Sequence, residues 1–168
     1  MQAGEAARLE ERVVAACRAR GVTVVTAESC TGGLVAARIT SVPGASAVFL
    51  GGVVSYANTM KRDVLGVPQA VLERAGAVSA ECAAAMAAGA RGRLGADVAV
   101  SVTGIAGPEG GTPLKPVGLV FFGLATATGV SAERRVFEGG REEVRRQAAD
   151  RALELLRDAA GRAGGASS

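Results

Sequence analysis

Apolar and polar positions along this chain switch between two periods, and the switches mark its elements. In residues 5–20 the apolar positions Ala6, Leu9, Val13, Ala16 and Cys17 recur at helical spacing, and Gly21 ends the predicted helix. Val22-Thr23-Val24-Val25 reads as a buried strand, and residues 34–39 return to a helical pattern that stops before Pro43. Residues 47–56, rich in small and β-branched side chains, predict a second strand. Residues 58–65 are a short polar segment closed by Gly66-Val67-Pro68, and residues 69–75 a short helix. Ser79 is placed to cap a helix running to Leu94, whose alanines and Gly89 predict close packing against other backbone. Residues 97–103 form a third strand, followed by a long loop rich in Gly and Pro. Residues 117–126 and 131–138 predict two more strands, paired antiparallel through the short turn at Thr128-Gly129. Residues 141–160 form the last helix, and residues 161–168 are expected to be a disordered tail.

Helices alternating with the early strands, then a hairpin, predict an α/β fold. It is a three-layer α/β/α arrangement around a mixed, mostly parallel five-stranded sheet with one antiparallel strand. Residues 1–160 are expected to form one domain, and 168 residues with 49% hydrophobic content suffice for its core.

Composition then narrows the chemistry. The net charge is only +3 and the basic residues are scattered, so no nucleic-acid stripe is apparent; one Tyr, four Phe and no Trp make a poor stacking platform. Cys17, Cys30 and Cys82 are odd in number and widely spaced, suggesting neither a zinc site nor a disulfide framework. Met1-Gln2-Ala3-Gly4-Glu5 does not start a signal peptide, and no apolar run reaches the ~20 residues of a membrane span. A cytoplasmic protein is expected, without membrane or nucleic-acid partners. There is no histidine, so a serine nucleophile here would need a lysine, tyrosine, carboxylate or water as its base. Lys61 and Lys115 are the only lysines among the 19 basic residues. Lysine can be tuned into a base by burial, whereas arginine keeps its proton.

Four constellations carry candidate chemistry. Thr26-Ala27-Glu28-Ser29-Cys30-Thr31-Gly32-Gly33 sets a serine at a strand-to-helix turn, where open α/β sheets place ligands. Ser29 can be a nucleophile or simply a helix cap, although Thr31 could cap equally well. Cys30 is the rival nucleophile, because a thiol at a helix N-terminus has a lowered pKa. Ser55-Tyr56-Ala57-Asn58-Thr59-Met60-Lys61 joins the only tyrosine to one of the lysines, and reads either as a proton-transfer pair or as a solvated loop. The loop from Gly104 to Gly111 can cradle phosphate with its N–H groups, or be an ordinary connection. Arg145 lies near the inward face of the last helix and needs an anionic partner, a carboxylate or a ligand phosphate; Arg146 points away, toward Glu142 and Asp150.

These motifs, with Leu65-Gly66-Val67, Gly76-Ala77-Val78-Ser79, Lys115-Pro116-Val117-Gly118 and Arg145-Arg146-Gln147, occur in an order that closely resembles the CinA C-terminal domain family, the nicotinamide-nucleotide amidases. The resemblance spans residues 6–160. It implies hydrolysis of the carboxamide of nicotinamide mononucleotide to nicotinate mononucleotide and ammonia, in pyridine-nucleotide recycling. It implies Ser29 as nucleophile and Lys61 as base, with Tyr56 assisting and Ser46 as a pocket serine. The substrate-binding residues expected are Thr31, Gly32, Gly33, Ser46, Thr103, Gly104, Gly107 and Arg145, with the Thr31-Gly32-Gly33 N–H groups stabilising the oxyanion. No metal or organic cofactor is implied, and the partners expected are the nucleotide substrate and a second copy of the chain in a dimer. Many members carry a further N-terminal domain of nucleotide-hydrolase type; its motifs are not seen here, so its activity is not expected.

Overall fold

A computed structural model describes residues 6–163. The chain runs α1 (Leu9–Arg20), β1 (Val24–Glu28), α2 (Leu34–Thr40), a short 3-10 turn (Ala45–Ala47), β2 (Phe49–Val54), α3 (Asn58–Asp63), α4 (Gln69–Arg74), α5 (Ala80–Leu94), β3 (Val98–Gly104), β4 (Leu119–Thr126), β5 (Gly129–Val136) and α6 (Arg141–Ala163). The sheet order is β2-β1-β3-β4-β5. β1 is parallel to β2 and β3, while β4 is antiparallel to both β3 and β5. β4 alone therefore runs against the rest, as the hairpin pattern predicts.

One face of the sheet is covered by α1, α2 and α6, where Val13, Cys17, Ile39, Leu153 and Leu156 pack against Val24, Val100 and Val102. Across this layer Arg38 of α2 joins Glu10 of α1 (2.9 Å) and Asp150 of α6 (2.5 Å). On the other face α5 and the segment after α3 place Leu65, Val67, Cys82 and Met86 against Val25, Ala27 and Ala99. Alternate residues of β1 serve opposite layers because strand side chains alternate. Gly89 is where α5 meets other backbone: a Cβ there would lie 1.8 Å from the Leu65 carbonyl oxygen. Ser79 caps α5, its Oγ accepting from the Cys82 N–H at 3.1 Å.

Three expectations need correction. Residues 58–63 are helical rather than a polar segment. Their one buried side chain is Lys61, so no hydrophobic period announces the helix. The last helix continues to Ala163, so residues 161–163 belong to α6 rather than to a tail; residues 164–168 lie outside the described residues. The first helix begins at Leu9 instead of Glu5, which also lies outside them.

The connections explain where a site can form. β1 leads into α2 on one face of the sheet, whereas its neighbour β2 leads into α3 and α5 on the other. Connections that leave adjacent parallel strands in opposite directions open a crevice at their carboxyl ends.

Candidate active site

Glu28 ends β1 and Ser29 follows it, so their side chains point to opposite faces. The buried Glu28 carboxylate turns toward α2 and accepts from the N–H groups of Val35 (2.9 Å) and Ala36 (3.1 Å). It supplies the helix cap that the sequence offered to Ser29 or Thr31. Gly32 (φ 59°) and Gly33 (φ 101°) carry the chain through a left-handed turn that side chains rarely adopt. This positive φ, more than close approach of another group, explains the glycine pair. Ser29 is fixed by its own N–H, which donates to the Val102 carbonyl at 2.8 Å.

Relieved of capping, Ser29 meets Lys61. Lys61 Nζ donates to Ser29 Oγ at 3.1 Å and to the Tyr56 carbonyl oxygen at 3.0 Å. Lys61 is 1% exposed, and no carboxylate pairs with it among the described residues. Burial holds its pKa below the ordinary lysine value, opposed by the Cys82 and Cys30 sulfurs. A buried amine against a serine hydroxyl can exchange a proton with it.

The other expected residues divide sharply. Thr103, Gly104 and Gly107 stand on the wall of a cavity of about 300 Å³ that also includes Ser29, Tyr56 and Lys61. Thr103 Oγ1 donates to the Ala77 carbonyl at 2.8 Å. Thr31, Gly32 and Gly33 shape the turn but do not line the cavity. The Gly32 N–H is already spent on the Ser29 carbonyl at 3.0 Å, so it is not a free oxyanion donor. The Cys30 N–H has no acceptor among the described residues, and Cys30 does line the cavity. The Cys30 thiol is pushed up to about 11 by burial, the reverse of the lowering expected at a helix start. Ser46 does not line the cavity either: it is exposed in the 3-10 turn before β2, at the strand end opposite Ser29. The Tyr56 hydroxyl reaches neither Ser29 nor Lys61; its main-chain carbonyl makes the lysine contact.

Arg145 finds its partner in neither a carboxylate nor open space for a phosphate. Its Nε donates to the Cys30 carbonyl and its Nη2 to the Thr31 carbonyl, both at 3.1 Å, and it does not line the cavity. Arg146 pairs with Asp150 as expected and with Glu143 rather than Glu142. The arginine on the cavity wall is Arg141, which the sequence reading missed. Arg141 Nη1 donates to the Gly107 carbonyl at 2.8 Å and Nη2 to the Tyr56 hydroxyl at 3.2 Å. A charged first residue of a helix, directly after Gly139-Gly140, was the available signal. Lys115 is structural, its Nζ donating to the Ala75 carbonyl at 2.7 Å.

A larger cavity, about 670 Å³, opens at the other end of the sheet, lined in part by Val22, Asp97, Leu124 and Arg162. Its carboxylate, Asp97, is occupied by the Thr23 N–H and hydroxyl. The smaller cavity is the better candidate because it joins a serine hydroxyl to a buried amine. Among the described residues no cluster of His, Cys, Asp or Glu side chains forms a metal-binding set, and no helix is long and apolar enough to cross a membrane.

Known proteins share the sequence and the fold of this chain. A "CinA-like protein" of Geotalea uraniireducens is 55% identical over 140 residues, covering 83% of this chain and 33% of that protein. One of Geobacter metallireducens is 51% identical over 155 residues, 92% of this chain and 38% of that protein. The chain thus spans about a third of the length of these curated relatives. Among solved structures, the competence/damage inducible protein CihA of Agrobacterium tumefaciens superposes with a TM-score of 0.87 at 45% identity, covering 92% of this chain and 94% of that one. A CinA superfamily protein of Escherichia coli gives 0.84 at 34% identity, covering 93% and 92%. The CinA C-terminal domain family matches residues 6–160, the whole of the sheet and its helices save the last turn of α6, and it is to this family that the chain belongs.

Proposed function

We propose that this protein is a serine–lysine amidohydrolase that deamidates nicotinamide mononucleotide to nicotinate mononucleotide and ammonia. The observation that carries the reading is the buried Lys61 amine 3.1 Å from Ser29 Oγ. Substrate identity comes from the family resemblance; the serine–lysine chemistry is supported by the site itself.

A neutral Lys61 reverses the hydrogen bond, so that the Ser29 hydroxyl donates to Nζ while an amine N–H still donates to the Tyr56 carbonyl. Ser29 Oγ then attacks the carboxamide carbon as its proton passes to Lys61. The Cys30 N–H, next to Ser29 in the chain and without an acceptor among the described residues, is the donor offered to the developing oxyanion. Protonated Lys61 returns its proton to the leaving nitrogen, and ammonia departs from the acyl-enzyme. Water, deprotonated by Lys61, attacks the ester, and Ser29 recovers the proton as nicotinate mononucleotide leaves. No step requires an imidazole, which this chain cannot supply.

The test is ammonia release from nicotinamide mononucleotide by the purified protein, with Lys61→Arg beside it. We expect turnover by the wild type and almost none by Lys61→Arg, since arginine keeps its proton. A Lys61→Arg rate near the wild type would reject lysine as base, and no ammonia from the wild type would reject the activity.

A further inference from the structure

Resting on the amidase reading for its substrate, we propose that Arg141 is the phosphate-reading residue of the cavity, selecting ligands that carry a phosphomonoester over the corresponding nucleosides. Arg141 is the one arginine on the wall that holds Ser29 and Lys61. Its two hydrogen bonds go to neutral oxygens, the Gly107 carbonyl and the Tyr56 hydroxyl. Arg38, Arg146 and Arg151, by contrast, are each neutralised by carboxylates. The rest of the Arg141 guanidinium remains free to donate, in a planar fork suited to phosphate oxygens.

The glycine loop beside it contributes matching donors. The N–H groups of Ala106, Gly107 and Gly110 have no intramolecular acceptor among the described residues. All three residues line the cavity, and Gly107 (φ 83°) and Gly110 (φ 92°) adopt left-handed conformations. Such turns present main-chain N–H groups to anions. Glu109 also stands on this wall, but it is exposed and makes no ion pair with Arg141, so solvent screens its repulsion. Arg145 cannot take the role, because the Cys30 and Thr31 carbonyls hold its donors away from the cavity. The competing explanation is structural: Arg141 bridges the Tyr56 rim to the glycine loop and does nothing else.

Titration calorimetry separates the two. Ser29→Ala protein, which binds without turnover, is titrated with nicotinamide mononucleotide, nicotinamide riboside and ribose 5-phosphate, with and without Arg141→Gln. The mononucleotide should bind at least ~10-fold more tightly than the riboside, as a charge-assisted pair requires. Arg141→Gln should erase that preference while leaving riboside affinity within about threefold, and Arg141→Lys should restore part of it, keeping the charge without the fork. A preference that survives Arg141→Gln overturns the proposal, and so does equal weakening of nucleotide and riboside, the signature of a bridge. Failure to bind any phosphate-bearing probe also overturns it. Arg141-dependent binding of ribose 5-phosphate, in a protein that releases no ammonia from the mononucleotide, would keep the phosphate site and reject the amidase reading.

Discussion

The turn after β1 and the glycine loop after β3 meet at one cavity, yet they are built in opposite ways. The turn is buried from Ser29 to Thr31 and held from several sides: Glu28 takes the N–H groups of α2, Arg145 takes the Cys30 and Thr31 carbonyls, and the Ser29 N–H is tied to β3. The loop is secured mainly near its ends, by Ile105 to Leu119 and by the Thr112–Lys115 turn, and residues 108–114 are exposed. The proton transfer proposed between Ser29 and Lys61 would need atoms fixed within a fraction of an ångström, and the clamped turn holds the Ser29 half of that pair. Contact with a ligand's far end, the role proposed for the loop, would tolerate looser backbone, and what the loop has to offer is unpartnered N–H groups.

The largest break in this contrast should come from Ser29→Ala. We expect kcat to fall at least ~10⁴-fold while the thermal melt stays within a few degrees of the wild type, because Glu28 is the cap of α2. A collapse of the melt would return Ser29 to a structural role.

Lys61→Met should cost ~10²–10⁴-fold in kcat, the range of a general base. In the wild type, activity should rise with pH as the buried amine loses its proton. Stability has the same sign. Burial lowers the folded-state pKa of Lys61 below its ordinary ~10.4, so between those values the unfolded chain binds more protons and stability climbs with pH. Urea titrations across alkaline pH should show that component in the wild type and its loss in Lys61→Met.

Glu28→Gln probes the clamp without touching the cavity. The amide can accept at only one atom, so one helix N–H is left unpartnered, at about 1 kcal/mol and a melting point lower by ~2–4 °C. The Ser29–Lys61 alignment should loosen with it, lowering kcat with little change in KM. An unchanged kcat would mean that the turn keeps its shape without the carboxylate.

The smallest effect is expected in the loop. Leu114 is 89% exposed, so Leu114→Ser should alter stability by less than about 0.5 kcal/mol and leave kcat as it was. A marked loss of either would show the loop to be as constrained as the turn.

Much of this site was legible one residue at a time. The strand-to-helix turn, the absence of histidine and the rarity of lysine marked Ser29 with its rival Cys30, and Lys61 with Lys115, as candidates, and the family resemblance chose Ser29 and Lys61 among them. Helix α3 was not legible, because a short helix that buries a lysine has no apolar period. Arg141 and Arg145 were confused for a related reason: both start the same helix, and helical phase reports inward or outward, not which neighbour is met.

The sequence by itself determined the order of elements apart from α3, the mixed sheet and the residue types able to do chemistry, because hydrophobic period, turn glycines and composition are local properties. Tertiary structure alone decided which groups are free to act. Glu28 and Ser29 are adjacent, yet strand alternation sends one to cap α2 and the other to Lys61. Arg145 is consumed by carbonyls 114 and 115 residues away in sequence, while Arg141, one helical turn earlier, faces the cavity. Lys61 becomes a candidate base only because packing removes it from water, and that desolvation is a property of the assembled layers rather than of its neighbours in the chain.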